Sequence, residues 1–288
     1  VQTREHFDIL ELLRVGEGII ALTKSDLVDA DRLEKLKAEV RTFVRGTFLE
    51  SAPVIPVSSV TGAGLDDIKA ALMAAGRRVR KRDDCGYFRL PIDRVFVMHG
   101  FGTVIAGTVL SGEIRAGDRI EILPERIEAK VRGIQVHKAK RDVSGLGKRT
   151  ALNLHDIEKE LLRRGQCAVM PGLIAPATRI DTRLQLLKQA AKELKMRDRV
   201  RLHIGTDEVI ARVILLEKDK LLPGESMLAQ FVLESPTATF YKDRFIIRTF
   251  SPLNTIGGGE VLDIAPPRHK RFDAAALAGI RKFEGALE

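Results

Sequence analysis

Residues 88–124 read FRLPIDRVFVMHGFGTVIAGTVLSGEIRAGDRIEILP, a run of short segments in which apolar and polar side chains alternate. Alternation with a period of two is typical of strands that bury one face. Glycines at positions 100, 102, 107, 112 and 117 interrupt the run and permit tight turns. Short strands separated by glycine turns predict a small antiparallel β-barrel. The pattern ends near residue 172, so we place this barrel at residues 86–172.

A second β-rich region follows the first. Apolar, strand-like segments occur at residues 200–204, 209–216, 227–233 and 245–248. They predict a second antiparallel barrel over residues 173–264, preceded within that range by a helix at residues 184–194. Residues 265–288 are predicted to be a proline-containing linker and the first helix of a further domain. Tyr87, Phe88, Phe96 and Phe101 are predicted to lie in the core of the first barrel.

The first 85 residues have a different pattern, in which helical and extended segments alternate. Apolar runs at residues 18–22 and 54–57 predict buried parallel strands. Amphipathic segments that follow Thr3 and run to residue 13, at residues 29–45 and from the predicted cap Asp66 onward predict helices. This order is typical of half of a doubly wound α/β domain. The predicted fold class is therefore α/β plus all-β, with a half-domain at residues 1–85 followed by two antiparallel β-barrels.

Polar motifs follow both predicted strands of residues 1–85, and carboxyl ends of strands are where α/β sheets bind ligands. The motif residues are Thr23, Lys24, Asp26, Ser58, Ser59 and Val60. One aspartate can accept hydrogen bonds from guanine N1–H and N2–H₂ together, whereas adenine offers no such pair. The Lys24 stem could lie along the base, and backbone N–H groups of the second motif could donate to guanine O6. The two motifs together predict a guanine site; for either motif alone, a helix-capping loop is the alternative.

Several features of an enzyme are missing from the sequence. No G-x-x-x-x-G-K-[ST] phosphate loop occurs, and no DxxG segment precedes a histidine that would position water. We therefore predict no catalytic residue, no metal site and no GTP hydrolysis by this chain alone. The two cysteines, Cys85 and Cys167, are predicted to be reduced thiols. No stretch approaches the roughly 20 apolar residues of a membrane span, so we expect a cytoplasmic location and no membrane partner.

The net charge of +9 is unevenly distributed along the chain. Residues 1–85 hold 14 Lys and Arg and 14 Asp and Glu, whereas residues 86–288 hold 34 and 25. The whole excess of positive charge thus lies in the β-rich part. This distribution favours a polyanionic partner such as RNA, with a solvated basic surface as the alternative.

The barrel sequence of residues 88–124 resembles the second domain of the translational GTPases, a family that includes elongation factor Tu. The matching positions include residues 90–93 (LPID), 100–104 (GFGTV), Gly107, Gly112 and 117–118 (GD). The resemblance implies that residues 1–85 are the C-terminal half of a P-loop GTPase domain and that the first barrel helps to hold the 3′ end of aminoacyl-tRNA. It also implies GTP as cofactor, with Mg²⁺ in the full-length protein. Thr23 departs from the commoner Asn of the family's NKxD motif.

Further stretches resemble one branch of that family, the selenocysteine-specific elongation factors. They are residues 131–137 (VRGIQVH), 202–206 (LHIGT), 243–248 (DRFIIR), 255–263 (TIGGGEVLD) and 266–271 (PPRHKR). The three glycines of the fourth stretch are predicted to let the backbone turn sharply as it leaves the barrel. The resemblance implies a chain truncated at both ends and three partners: selenocysteinyl-tRNA, the ribosome, and an mRNA hairpin bound through a C-terminal extension.

Basic residues at the end of the VRGIQVH stretch and just after it are the predicted tRNA contacts. They are His137, Lys138, Lys140 and Arg141. Two alternatives to a selenocysteinyl-tRNA carrier remain open. A general aminoacyl- or initiator-tRNA GTPase would share the features of residues 1–172, and a non-enzymatic RNA-binding protein with two barrels would explain the missing phosphate loop.

Overall fold

The computed structural model describes residues 2–79, 84–98 and 102–285, and it divides the chain into two compact units, residues 1–82 and residues 83–288. Phe101, which was predicted to lie in the core of the first barrel, falls outside the described residues. The first unit is α/β and the second contains both β-barrels and one helix.

The α/β unit contains three helices and a two-stranded parallel sheet. Its elements are α1 (Gln2–Leu12), β1 (Ile20–Thr23), α2 (Ala30–Phe43), β2 (Val54–Val57) and α3 (Leu65–Arg78). The two parallel strands are confirmed, with Ile20 opposite Val54 and Thr23 opposite Val57. Their predicted burial is confirmed only at Val57, which is 6% exposed. Ala21 is exposed, because within the described residues β1 pairs with β2 alone.

An aspartate and a glycine are the N-cap residues of two helices in this unit. The Asp29 side chain caps α2 by accepting a hydrogen bond of 2.7 Å from the Arg32 N–H. Asp66 was the predicted cap of α3, but the cap is Gly64, which has a φ of 73°. A side chain at position 64 would lie 2.0 Å from the Pro56 carbonyl oxygen, so only glycine fits this close approach. Asp66 instead lies in the first turn, where a carboxylate interacts favourably with the helix dipole.

The first barrel is antiparallel and closed by six strands. The strands of this region are β3 (Arg89–Met98), β4 (Gly102–Thr108), β5 (Glu113–Arg115), β6 (Arg119–Leu123), β7 (Ile127–Val136), β8 (Ala139–Arg141), β9 (Val143–Gly145), β10 (Arg149–His155) and β11 (Cys167–Val169). The closed order is β10, β4, β3, β11, β6 and β7, with β7 pairing back to β10. Strand β8 extends from β7, and β5 pairs with β9.

The core of the first barrel contains Phe88, as predicted, but not Phe96. Phe88 is 1% exposed and packs with Leu90 and Ile92 at the start of β3. The register of β3 against β4 then shifts between Ile92 and Arg94, which exchanges the inward and outward faces of the strand. As a result Val95 packs against the core and Phe96 is exposed.

The second barrel is also antiparallel and closed by six strands. The strands of this region are β12 (Ala177–Leu186), β13 (Leu194–Lys195), β14 (Arg199–Ile204), β15 (Asp207–Leu215), β16 (Lys220–Leu221), β17 (Ser226–Thr237), β18 (Arg244–Thr249) and β19 (Thr255–Asp263). The closed order is β12, β17, β15, β14, β18 and β19. The helix predicted at residues 184–194 is wrong: β12 continues to Leu186, because Leu184 and Leu186, two residues apart, are both buried in the barrel core.

The glycines of the TIGGG stretch close the second barrel, and the predicted sharp turn there is wrong. Gly257 and Gly259 lie within β19, which pairs with β12 on one side and β18 on the other. A Cβ at Gly257 would lie 2.3 Å from the Gln185 carbonyl oxygen, and one at Gly259 would lie 1.9 Å from that of Arg183. Glycine is needed here because neighbouring backbone approaches too closely for any side chain.

We expect Gly259→Ala to lower the free energy of unfolding of the barrel unit by about 2–3 kcal/mol. The new methyl would meet the Arg183 carbonyl oxygen and the Phe245 ring, so the β12–β19 contact would have to open. Urea unfolding followed by circular dichroism measures the change. Gly133→Ala in β7 is the matched control, since among the described residues no atom beyond its chain neighbours lies within 4 Å of its Cβ position. Equal midpoints for the two variants would contradict the close approach at Gly259.

Helix α4 (Ala274–Gly285) packs on the second barrel. Ile280 is buried against Leu216, Leu228 and Leu262. The Glu217 carboxylate accepts a hydrogen bond of 2.7 Å from the Leu228 N–H and forms an ion pair with Arg281 of the helix. Burial acts to raise the pKa of Glu217, but this hydrogen bond and the nearby guanidinium groups outweigh burial and hold the pKa below its usual range.

A buried ion pair joins the two barrels. The Arg89 guanidinium donates to both carboxylate oxygens of Asp243, at 2.7 and 2.6 Å. The same guanidinium lies 4.0 Å from the centre of the Phe240 ring, on which Tyr87 stacks. The two charged side chains are 9% and 15% exposed. Because Arg89 begins the first barrel and Asp243 precedes β18 of the second, this pair fixes the contact between the barrels.

Candidate functional site

The predicted guanine motifs lie at one edge of the α/β sheet. Strands β1 and β2 run parallel and end in register at Thr23 and Val57. Residues 24–26 and residues 58–60 therefore leave the sheet side by side, at its carboxyl end. This arrangement brings both predicted motifs to the same place, which the sequence could indicate only through strand order.

Lys24 and Asp26 are set by a short turn. Lys24 has a left-handed backbone, with φ 59° and ψ 37°, and begins a single 3₁₀ turn over Ser25–Leu27. A left-handed conformation is uncommon outside glycine and is often found at functional positions. Asp26 is exposed, and within residues 2–79 its carboxylate has no hydrogen bond or ion pair. Both oxygens of Asp26 are thus free to accept from a ligand.

The loop after β2 is organised around Ser58. Ser58 is 1% exposed, and its Oγ accepts hydrogen bonds from the N–H groups of Val60 and Thr61, at 3.2 and 3.1 Å. The Ser58 N–H donates to the Ala63 carbonyl at 3.0 Å. Of the three N–H groups in the motif, that of Ser59 is the one without a partner among the described residues. The loop can therefore offer the Ser59 N–H to a ligand, while Ser58 holds the loop's shape.

The predicted tRNA contacts lie together at the end of one β-hairpin. His137 and Lys138 form the turn between β7 and β8, with φ values of 50° and 67°. Two consecutive positive φ values are typical of a type I′ hairpin turn. Lys140 and Arg141 follow on β8, and the side chains of all four residues are exposed. The hairpin thus presents four basic side chains in one place.

A pocket of about 220 Å³ lies beside this hairpin on the first barrel. Met98, Val104 and Ile134 give it an apolar lining, and its polar lining includes Arg132, Gln135, Lys140 and Asn153. Of the predicted tRNA contacts, Lys140 is the one that lines it. Sequence reasoning did not single out Arg132 or Gln135, although both belong to the VRGIQVH stretch. An apolar pocket with a few polar groups and two cations suits a small organic group attached to a polyanion.

Neither a metal cluster nor a membrane-spanning helix is found in the described residues. Within residues 2–79, 84–98 and 102–285, no three His, Cys, Asp or Glu side chains are grouped so as to hold a metal ion. None of the helices in the described part of the chain is both long enough and apolar enough to span a bilayer.

Residues 181–268 match the family model described as the β-barrel domain of selenocysteine-specific elongation factor. The chain is 42% identical over 262 residues to the selenocysteine-specific elongation factor of Desulfomicrobium baculatum. It is 31% identical over 268 residues to the corresponding factor of Escherichia coli K12. These alignments cover 91% and 93% of this chain and 41% of each relative. The chain therefore spans about two fifths of the length of these curated relatives.

Solved structures have the same fold. A bacterial selenocysteine-specific elongation factor superposes with a TM-score of 0.83 at 23% identity, over 98% of this chain and 46% of that one. Translation elongation factor SelB from Methanococcus maripaludis, in complex with the GTP analogue GppNHp, superposes with a TM-score of 0.82 at 24% identity, over 92% of this chain and 63% of that one.

Proposed function

The chain is a relative of the selenocysteine-specific elongation factors, and from this relationship we propose that it forms the guanine-reading and tRNA-binding parts of a GTP-dependent carrier of selenocysteinyl-tRNA. The observation that carries the proposal is the similarity along 91% of the chain. In the complete protein, the α/β unit would be the C-terminal half of a doubly wound P-loop GTPase domain, followed by barrels at residues 86–172 and 173–264. Residues 265–288 would lead into a C-terminal extension.

In the proposed guanine site, Asp26 accepts hydrogen bonds from N1–H and N2–H₂ of the base. The Ser59 N–H donates to O6, and the Lys24 stem covers one face of the ring. Ser58 Oγ holds the second loop in shape by accepting from the Val60 N–H, and Thr23 ends β1 directly before Lys24. Within the described part of the chain, the exposed Asp26 carboxylate and the Ser59 N–H have no partner, which supports this assignment. The carrier would be in its active state when GTP is bound. Because this chain has no phosphate loop, its own contribution is recognition of the base.

In the proposed tRNA site, the pocket beside β7 and β8 takes the aminoacylated 3′ end. The apolar side chains Met98 and Val104 would pack against the terminal base or the amino acid. His137, Lys138 and Arg141 would pair with phosphates of the adjoining strand. Arg132 and Lys140 line the pocket, where their charges would favour a selenolate over the neutral hydroxyl of serine.

The ribosome and an mRNA hairpin are further proposed partners, the hairpin through the C-terminal extension. A general aminoacyl-tRNA carrier is the second candidate, because it would use the same guanine and 3′-end sites. The match of residues 181–268 to the selenocysteine-specific barrel favours the first candidate.

Filter binding with the full-length gene product tests the proposal. In the presence of GTP, we expect selenocysteinyl-tRNA to be retained at least about tenfold better than the same tRNA charged with serine, because a charged partner adds a strong hydrogen bond. Lys140→Ala should reduce that preference, and Lys159→Ala, at an exposed lysine outside the pocket lining, should not. Equal retention of both charged tRNAs would exclude a selenocysteine-specific carrier.

A further inference from the structure

A basic cavity of about 750 Å³ lies on the second barrel, next to the segment that follows its last strand. Its charged lining residues are all basic: Arg179, Arg197, Arg212, Arg268, Lys270 and Arg271. Met196, Ile214 and Val232 line it between these cations. Positions from β12, from the turn before β14, from β15 and from the segment after β19 thus meet in one concave surface.

A buried polar network borders the cavity. Asp181, which is 1% exposed, accepts a hydrogen bond from Gln230 Nε2 at 2.7 Å and pairs with His269 Nε2 at 2.6 Å. Gln230 Nε2 also donates to the Pro267 carbonyl at 3.0 Å. Burial raises the pKa of the Asp181 carboxyl, and these two side-chain partners oppose the shift. The network fastens residues 267–269 to the barrel and so fixes Arg268 and Lys270 beside the cavity.

Four of the six cations are uncompensated. Arg212 lies 3.7 Å from Glu234, and Arg271 is paired with Asp219. Among the described residues, Arg179, Arg197, Arg268 and Lys270 have no carboxylate within ion-pair distance. The Nε of Arg179 is buried and has no hydrogen-bond partner among them. Unpaired cations around a concave surface repel one another, so the arrangement is best satisfied by an anion with several charges.

We propose that this basic cavity binds the phosphodiester backbone of RNA. Forked guanidinium groups match phosphate oxygens in pairs, and a row of phosphates can reach several cations at once. A concave surface fits the convex edge of an RNA strand better than a flat membrane. The site goes beyond the proposed function: it lies on the second barrel, it needs no aminoacylated 3′ end, and none of its residues belongs to the guanine or hairpin motifs.

The test uses the 288-residue chain and a fluorescein-labelled, uncharged RNA hairpin with a blunt stem. Fluorescence anisotropy at several KCl concentrations gives the association constant and its salt dependence. We expect the triple variant Arg179→Gln, Arg268→Gln, Lys270→Gln to bind at least tenfold more weakly. The slope of log K against log salt should fall by about 2–3, roughly one for each phosphate that no longer pairs with a cation.

The matched control is Lys159→Gln, Lys192→Gln, Lys282→Gln, which removes the same charge from exposed positions outside the cavity. It should keep the wild-type slope. A second variant, Arg179→Lys with Arg268→Lys, retains the charge but not the forked donors. It should keep the wild-type salt slope and bind with an affinity between those of the wild type and the triple variant, which a folding defect would not produce. If both triple variants lost the same affinity, the net charge of the chain and not the cavity would account for RNA binding, and the proposal would be overturned. Cavity-dependent binding to phosphatidylserine vesicles in place of RNA would overturn it as well. Because this hairpin carries no aminoacylated 3′ end, its binding is scored separately from the filter-binding test of the tRNA 3′-end site.

Discussion

Arg89→Ala is expected to lower the free energy of unfolding of the barrel unit by about 3–5 kcal/mol, the range found when one partner of a buried ion pair is removed. The substitution would leave the Asp243 carboxylate, whose side chain is 15% exposed, with the Thr239 hydroxyl and the Phe240 N–H as its remaining donors. It would also remove the guanidinium that covers the Phe240 ring. Both effects act at the contact between the barrels, so the barrels should separate more easily.

Cys167 offers a local measure of that separation. It is fully buried beside Arg89 in the same contact, and burial raises the pKa of its thiol to about 11. In a Cys85→Ser background, the one remaining thiol should react with a maleimide only after the contact opens. We expect Arg89→Ala to shift this reaction, together with the circular dichroism transition, to lower urea concentration.

Arg149→Ala is the matched control for Arg89→Ala. Arg149 also donates to both carboxylate oxygens of an aspartate, Asp93, but its side chain is 48% exposed. Exposed pairs contribute less than about 1 kcal/mol, because water screens them and both side chains lose entropy. If the two arginine variants unfolded at the same urea concentration, burial would not be what makes the Arg89 pair important.

The barrels were predictable because their local pattern and their packing agree. Alternating side chains and glycine turns in residues 88–124 have a single consistent solution, a closed antiparallel sheet. The exceptions arise where tertiary contacts override the local pattern. A register shift in β3 turned Phe96 outward. The leucine-rich segment at residues 184–194 suggested a helix, but its first three residues belong to strand β12. The TIGGG stretch looked like a turn, yet its glycines allow two neighbouring strands to approach.

The candidate sites also combine features that the sequence could predict with features that depend on tertiary structure. The sequence could place the two predicted guanine motifs together, because each follows a strand and parallel strands end at one edge of a sheet. The Ser59 N–H could not be chosen from the sequence, since the partners of Ser58 and Val60 depend on the fold of the loop. The basic cavity was missed because Arg179, Arg212 and Arg268 are distant in sequence and meet only through barrel closure and the Asp181 network.

Asp26→Asn is expected to weaken guanine nucleotide binding by the full-length protein at least about 100-fold. The substitution would remove two charge-assisted hydrogen bonds to the base, each contributing about 1.5–3 kcal/mol. Every 1.4 kcal/mol lost weakens binding about tenfold. The asparagine would also point an amide donor at the donors of the base. Titration with a fluorescent GDP analogue measures the change. Asp29→Asn is the matched control, because Asp29 is exposed nearby and asparagine is an equally good helix cap.

A gain of function separates base recognition from a general loss of structure. Xanthine has a carbonyl at the position of the guanine amino group, so it presents one donor and one acceptor to the side chain at position 26. An asparagine can accept from the N1–H with its oxygen and donate to that carbonyl with its nitrogen. Asp26→Asn should therefore bind xanthosine diphosphate more tightly than the wild type does, while it loses GDP. A variant that lost both nucleotides would indicate that Asp26 supports the 3₁₀ turn, and one that kept its GDP affinity would show that Asp26 does not contact the base.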